Sequence, residues 1–326
     1  MKLSNLTFAV VLVSLVVFVS CEKDTQNISL PPNTTIPATS NIANFFNDNL
    51  NETTETQTFN SSSSTTNFIS NKGISYTFEP NTFVYSNGSP VSGSFTIEFV
   101  EALTNKEMLL INRPTFTHDG QLLVSGGVVY LNATQNGQQL SINDNSPVMV
   151  SIPTNNYVPM DFFDGSFDNQ GGFGWDESEE DTVITNTGDN GQDTTFFDDM
   201  FSFDFEIDSM GWINCDYFYN SPDPLTQVEV ILPDSFNGEN SQVFIFYETI
   251  NSLAGLSDYD TNGTFDLGVN YSTPVGMDVS FVVISESNDS YYYAIVGATI
   301  TQDHIETIGS LTEVSEAELE LYLNGL

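Results

Sequence analysis

Bases are the scarcest residues in this chain. Five lysines and arginines face 44 aspartates and glutamates, a formal charge of −39, and none of the five lies beyond Arg113. Nucleic-acid binding needs clustered bases to displace phosphate counterions, so nucleic acid is excluded as a partner, and direct adhesion to anionic lipid falls on the same ground. Cysteine is nearly missing too: Cys21 and Cys215 are the whole supply. No disulfide framework holds the fold, and about 300 residues suffice for two apolar cores without one. The two histidines, His118 and His304, match no metal-ligand spacing such as HExxH, and GxSxG, phosphate-cradling glycine loops and CxxC pairs are absent. His118 lies in the turn wording Thr117-His118-Asp119-Gly120, and His304 reads as part of a polar connection after the last strand. Long apolar runs are confined to residues 6–19, shorter than the ~20 residues a membrane helix needs.

What is there begins with that run. Lys2 gives a small positive start, the apolar stretch follows, and Ser20 precedes Cys21, the layout of an export signal over residues 1–20. Phe18-Val19-Ser20-Cys21 resembles the lipobox of bacterial lipoproteins, which implies acylation of Cys21 and an outer-membrane anchor. Glu22-Lys23-Asp24 resembles the short Lys-plus-acid signal of Bacteroidota surface lipoproteins and implies display at the cell surface; a periplasm-facing anchor is the alternative. Residues 21–51 turn to Asn, Thr, Ser and Pro, with little to bury against the entropy of ordering. They read as a flexible tether, within which residues 42–50 form at most a weak helix.

Residues 52–160 read as a first antiparallel β-sandwich. Ile74, Tyr76 and Phe78 alternate with polar neighbours, as do Phe95, Ile97 and Phe99, the period of two that places apolar side chains on one sheet face. Asn87-Gly88, Asp119-Gly120 and Asn136-Gly137 punctuate the runs as turns, and no helix is expected between them. The wording from Tyr76 through Pro80, Phe83 and Asn87 to the strand at Phe95 resembles the sandwich domain shared by zonula-occludens proteins and netrin receptors, which implies packing or interaction and no catalysis.

Residues 161–199 read as an acidic loop or linker, because repulsion and low hydrophobicity favour solvation. Asp161, Asp164 and Asp168 offer a sharper alternative, hard oxygen ligands for a cation, at a spacing that matches no defined loop. A second β-sandwich is expected over 200–302, opening with Phe201, Phe203, Phe205 and Ile207 in alternation. The fold class is therefore all-β, two antiparallel Ig-like sandwiches, closed by a C-terminal helix in 303–326, where Ser315 and Glu318 make a capping box and Asn324-Gly325 a stop.

Two stretches of the second domain carry candidate chemistry. Gly211-Trp212-Ile213-Asn214-Cys215-Asp216 is similar to a phrase that recurs in Bacteroidota lipoproteins without an activity attached; Cys215 has no Lys or Arg in its domain to activate it and reads as a small core residue beside Trp212. Asp258-x-Asp260-x-Asn262-Gly263, with Asp266 at the ninth position, reproduces the first half of a calcium loop, but Val269 stands where the bidentate Glu belongs. A hairpin turning at Asn262-Gly263 and a partial calcium site both fit. Twenty-six Phe and 13 Tyr are many for so polar a chain, and Tyr291-Tyr292-Tyr293 cannot all face one core, so at least one is expected exposed. The sum of these readings is a lipid-anchored, non-catalytic binding or scaffold module for a glycan or another envelope protein. A carboxylate-dependent glycan hydrolase and a purely structural envelope protein are the alternatives.

Overall fold

The computed structural model describes residues 40–155, 158–168, 172–178, 182–187, 201–268 and 271–326. The export signal, Cys21, most of the expected tether and part of the acidic segment lie outside the described residues.

Over these residues the chain is mostly β, arranged as two sandwiches with three short helices between them. One sheet of the first sandwich runs, in spatial order, Glu55–Asn60, Ser94–Ala102, Leu123–Gln135, Gly211–Phe218, Asp161–Phe167 and Phe173–Glu177. Its partner runs Ile184–Thr187, Phe201–Ile207, Val148–Thr154, Ser75–Phe78 and Thr66–Ile69. Between the two sheets lie Tyr76, Phe99, Leu131, Ile152, Phe203 and Cys215 with their neighbours. The second sandwich faces Leu253–Gly255, Ser241–Tyr247, Asp278–Ser287, Ser290–Thr299 and Thr312–Val314 against a smaller sheet of Asp258–Tyr259, Thr264–Asp266, Val228–Ile231 and His304–Thr307. Val228–Ile231 and His304–Thr307 pair in parallel, a departure from the all-antiparallel expectation.

The division at residue 200 is therefore not where the sheets divide. Phe201–Ile207 and Gly211–Phe218 complete the first sandwich, pairing with Val148–Thr154 and Leu123–Gln135. The acidic segment supplies that sandwich with the strands Asp161–Phe167, Phe173–Glu177 and Ile184–Thr187 instead of a linker. The strand Asp161–Phe167 buries Phe162 toward the core of this sandwich and Phe163 on its other face, while Asp161 and Asp164 stay exposed. The C-terminal stretch likewise holds the strands His304–Thr307 and Thr312–Val314 before a helix of eight residues, which does start at the Ser315–Glu318 capping box.

One sheet from each sandwich faces a third core between them. Along Ser241–Tyr247, Val243, Ile245 and Tyr247 enter the second sandwich while Phe244 and Phe246 enter this middle layer. Leu123–Gln135 divides the same way, Val129 and Leu131 to its own sandwich, Val128 and Tyr130 to the middle. The helices α1 (Asn41–Thr53), α2 (Asn105–Leu110) and α3 (Glu316–Leu323) fill the layer with Ile42, Phe45, Phe46, Leu50, Met108, Leu109, Leu319 and Leu323.

Helix α1 corrects the tether reading. Its apolar residues recur at helical spacing and are each about 1% exposed. Ser40 caps it by accepting from Ala43 N–H, and Glu286 of the second sandwich accepts from Ile42 N–H, placing a negative charge at the helix N-terminus. Helix α2 corrects the expectation of an uninterrupted β run; its capping box, Thr104 with Glu107, was present in the sequence but short enough to pass for a loop.

Hydrogen bonds also tie the sandwiches together. Asn251 Nδ2 donates to Leu103 O and Ser125 O, its Oδ1 accepts from Asn105 N–H, and Ser252 Oγ donates to Leu123 O. Two cores share the tyrosines of which one was expected to be exposed: in the middle layer Tyr291 packs edge-on to Phe45 and Tyr293 stacks on Tyr322 of α3, while Tyr292 meets Phe236 in the second core, all three half-buried.

Candidate functional site

The site begins with how α2 ends. Asn112 takes a positive φ of 51°, the left-handed conformation asparagine tolerates, and two reverse hydrogen bonds close the helix: Asn112 N–H to Leu109 O at 3.1 Å and Arg113 N–H to Met108 O at 2.8 Å. Pro114 prevents the helix from continuing. This turn sends the Arg113 side chain inward, where it is 1% exposed. Nη1 donates to Ile111 O and Asn112 O at 3.2 and 2.9 Å. The guanidinium carbon lies 4.2 Å from the Trp212 ring centre, 4.6 Å from Phe173 and 5.4 Å from Phe167, attractive cation–π distances. Nε and Nη2 have no hydrogen-bond partner. Burial lowers the Arg113 pKa to about 9, which leaves the group charged at neutral pH.

Arg113 forms one wall of a cavity of about 110 Å³ where the two sandwiches meet. Phe116 and His118 continue that wall, Phe167, Asp168 and Phe173 come from the adjoining hairpin, and Gln242, Ser257 and Tyr271 come from the second sandwich. Trp175 Nε1 donates to Pro114 O at 2.7 Å, Tyr271 packs on Phe116 with ring centres 5.6 Å apart, and its hydroxyl donates to His118 O. His118 Nε2 lies 3.0 Å from Ser166 Oγ, its ring lying so close to Gly174 that a Cβ there would come within 2.7 Å of Nδ1. The Thr117–Gly120 turn expected from sequence is present, with Gly120 at a φ of 91°, and it also delivers His118 to the cavity.

The sequence-derived calcium residues do not converge on this cavity. Asp260 Oδ1 accepts from the backbone of Asn262 and Thr264, both at 2.9 Å, and Oδ2 accepts from Asn262 Nδ2, while Gly263 adopts a φ of 87°. These bonds, Thr264's first, lower the Asp260 pKa. Asp266 accepts from Gly268 N–H and sits opposite Asp258 in the hairpin; burial, then repulsion from Asp258 and Asp260, raises its pKa. The pattern is that of a hairpin capping its own turn, and Val269 lies outside the described residues. Among the described residues no three His, Cys, Asp or Glu side chains are grouped as metal ligands. Asp161 and Asp164 stand three positions apart on one strand and so point to opposite faces. Asp260→Ala is expected to lower the unfolding midpoint equally in millimolar calcium and in chelator, because the lost contacts are internal; thermal unfolding under both conditions checks it.

Cys215 is fully buried opposite Gly127, its thiol pushed up first by burial and then by Asp216 and Asp161. His304 is not in a polar connection: it opens the strand His304–Thr307, 8% exposed and stacked on Phe281, because Val228–Ile231 recruits that segment as a parallel edge. Arg113 is the residue that sequence reasoning missed. Its only signal was being the last base in the chain, placed before a proline.

The chain is similar over 76% of its length to 50% of the solved chain described as the Bacillus anthracis TIE protein, at 8% sequence identity and a TM-score of 0.19. It thus spans about half the length of that structure, and a likeness at that score carries no argument. No family model and no curated protein matches the sequence.

Proposed function

We propose that this chain is a lipid-anchored binding module of the bacterial cell surface, held to the outer membrane by acylated Cys21, whose ligand site is the cavity between the two sandwiches. The observation that carries the reading is the wall of that cavity: four rings, Phe116, Phe167, Phe173 and Tyr271, around a buried cation with free donors. Concave sites of this kind, apolar with a few convergent polar groups, are where small ligands bind. A two-carboxylate hydrolase is less well supported, because Asp168 is the single acid among the described residues of the lining and that chemistry needs a pair. Glycans suit the site, since aromatic faces stack on sugar rings while amide and hydroxyl groups meet their hydroxyls.

Two experiments test this. Binding of the full chain to a panel of neutral and acidic glycans is expected to give saturable binding without turnover, weakened at least tenfold by Tyr271→Ala; released reducing ends would favour the hydrolase. Cys21→Ala is expected to move the protein from the membrane fraction to the soluble one, because acyl chains would be its sole attachment. Retention of the variant in membranes would remove the anchor from the proposal.

A further inference from the structure

The free edge of Arg113 says what kind of ligand the cavity takes. Nη1 is committed to Ile111 O and Asn112 O, which fixes the plane of the guanidinium, and Trp212 and Phe173 pack against it. What remains unpaired is Nε and Nη2. Those two donors project in parallel from a single edge of the group, the fork that matches both oxygens of one carboxylate. Leaving buried charged donors unpaired is costly, and a chain with 44 acids could have supplied a carboxylate. It does not: Asp168, the one acid in the wall, accepts from Gly172 N–H, and neither Nε nor Nη2 has a partner.

We infer that the cavity binds an acidic sugar of the uronate class, with its carboxylate seated bidentate on Nε and Nη2 of Arg113 and its ring against Tyr271 and Phe116. The inference rests on the cavity being the ligand site. A planar carboxylate fits better than phosphate or sulfate, whose further oxygens would find no second Arg or Lys in the lining. About 110 Å³ holds a group of one-ring size, and Gln242 and Ser257 supply polar contacts on the side of the second sandwich. Nε and Nη2 are buried, so the half-buried rings of Phe167 and Phe173, which pack against the guanidinium, must shift to admit the carboxylate. The net charge opposes the approach of any anion, while the contact itself is buried and poorly screened. Added salt therefore strengthens uronate binding or leaves it level, the reverse of a surface basic patch.

The test is calorimetric titration of the full chain with glucuronate, glucose, acetate and inorganic phosphate at matched ionic strength. Glucuronate is expected to bind at least tenfold more tightly than glucose or acetate, with Arg113→Lys losing tenfold or more because an ammonium cannot form the fork. The guanidinium Nε resonance of the unaltered protein is expected to shift on adding glucuronate and not glucose, which keeps the test valid if Arg113→Lys fails to fold. Equal binding of glucuronate and glucose would overturn the carboxylate assignment and leave the binding-module reading standing. Acetate matching glucuronate would overturn the sugar, and phosphate binding more tightly than any carboxylate would overturn the assignment to a planar anion. Silence from all four probes, with neutral glycans bound elsewhere or not at all, would overturn both readings of the cavity.

Discussion

Asp216→Asn raises the stability of this protein at pH 8 and leaves it unchanged near pH 4. Asp216 is completely buried at a bulge where Gly211–Phe218 crosses Leu123–Gln135. Asn214 Nδ2 donates to its Oδ2, Ser125 Oγ in turn donates to Asn214 Oδ1, and Oδ1 of Asp216 has no partner. Burial pushes the carboxyl up to about 8, against the opposing pull of the hydrogen bonds around it. In the unfolded chain the same group loses its proton near pH 3.9. Between those values the folded state holds a proton that the unfolded state has released, so stability is fully present below about pH 4 and is lost as pH rises through 8. At 1.36 kcal/mol per pH unit the ceiling is on the order of 5 kcal/mol, a large share of the 5–15 kcal/mol typical of a folded protein. The amide variant carries no charge at any pH and keeps the shape. Urea unfolding of both proteins from pH 4 to 9 is expected to show curves that meet near pH 4 and separate progressively as pH rises, the gap being complete near pH 8. Glu101, also raised by burial, leaves the variant a shallower slope of its own. Parallel curves would mean that water or a backbone shift solvates Asp216.

The strands that were legible in the sequence are those with one wet face. Ser75–Phe78 and Phe201–Ile207 alternate because their outer face meets solvent, so the period of two is written in hydrophobicity. The inner sheets have no wet face. Ser241–Tyr247 is buried throughout, as is most of Asp278–Ser287, and such runs announce a strand without saying that its two faces serve different cores. A four-sheet stack was invisible for that reason. So was the membership of Phe201–Ile207 and Gly211–Phe218 in the first sandwich, which rests on pairings 47 to 95 residues apart in sequence. The acids of residues 161–168 misled in a different way: charge density suggested a solvated linker, yet the strand buries Phe162 in the first sandwich and Phe163 in the middle layer and leaves Asp161 and Asp164 exposed beside them. The candidate site was hidden more deeply still. Arg113 is separated by 60 to 99 residues from Phe173 and Trp212, and nothing local says that their rings converge on its guanidinium.

Phe46→Ala is expected to destabilise the whole protein, not a tether. Phe46 is 1% exposed, edge-on to Phe45 at 5.5 Å and to Phe244 of the second sandwich at 6.1 Å. The layer it helps fill also holds Val100 and Tyr130 from the first sandwich and Ile284 from the second. Removing a buried phenyl ring loses its transfer energy and leaves a cavity, about 3–5 kcal/mol together. Because the layer is shared, the loss is felt by both sandwiches, and a single unfolding transition is expected to move to lower denaturant with its slope preserved. Were residues 40–53 a passive tether, the substitution would cost less than about 0.5 kcal/mol, as exposed positions do. Removing α1 altogether is the stronger form of the test. A chain starting at residue 54 would uncover the apolar faces of two inner sheets, a contiguous patch of the kind that drives association. Aggregation or two separate transitions of the shortened chain is the expected result, whereas a monomer with unchanged stability would show that the sandwiches close on each other without the helix.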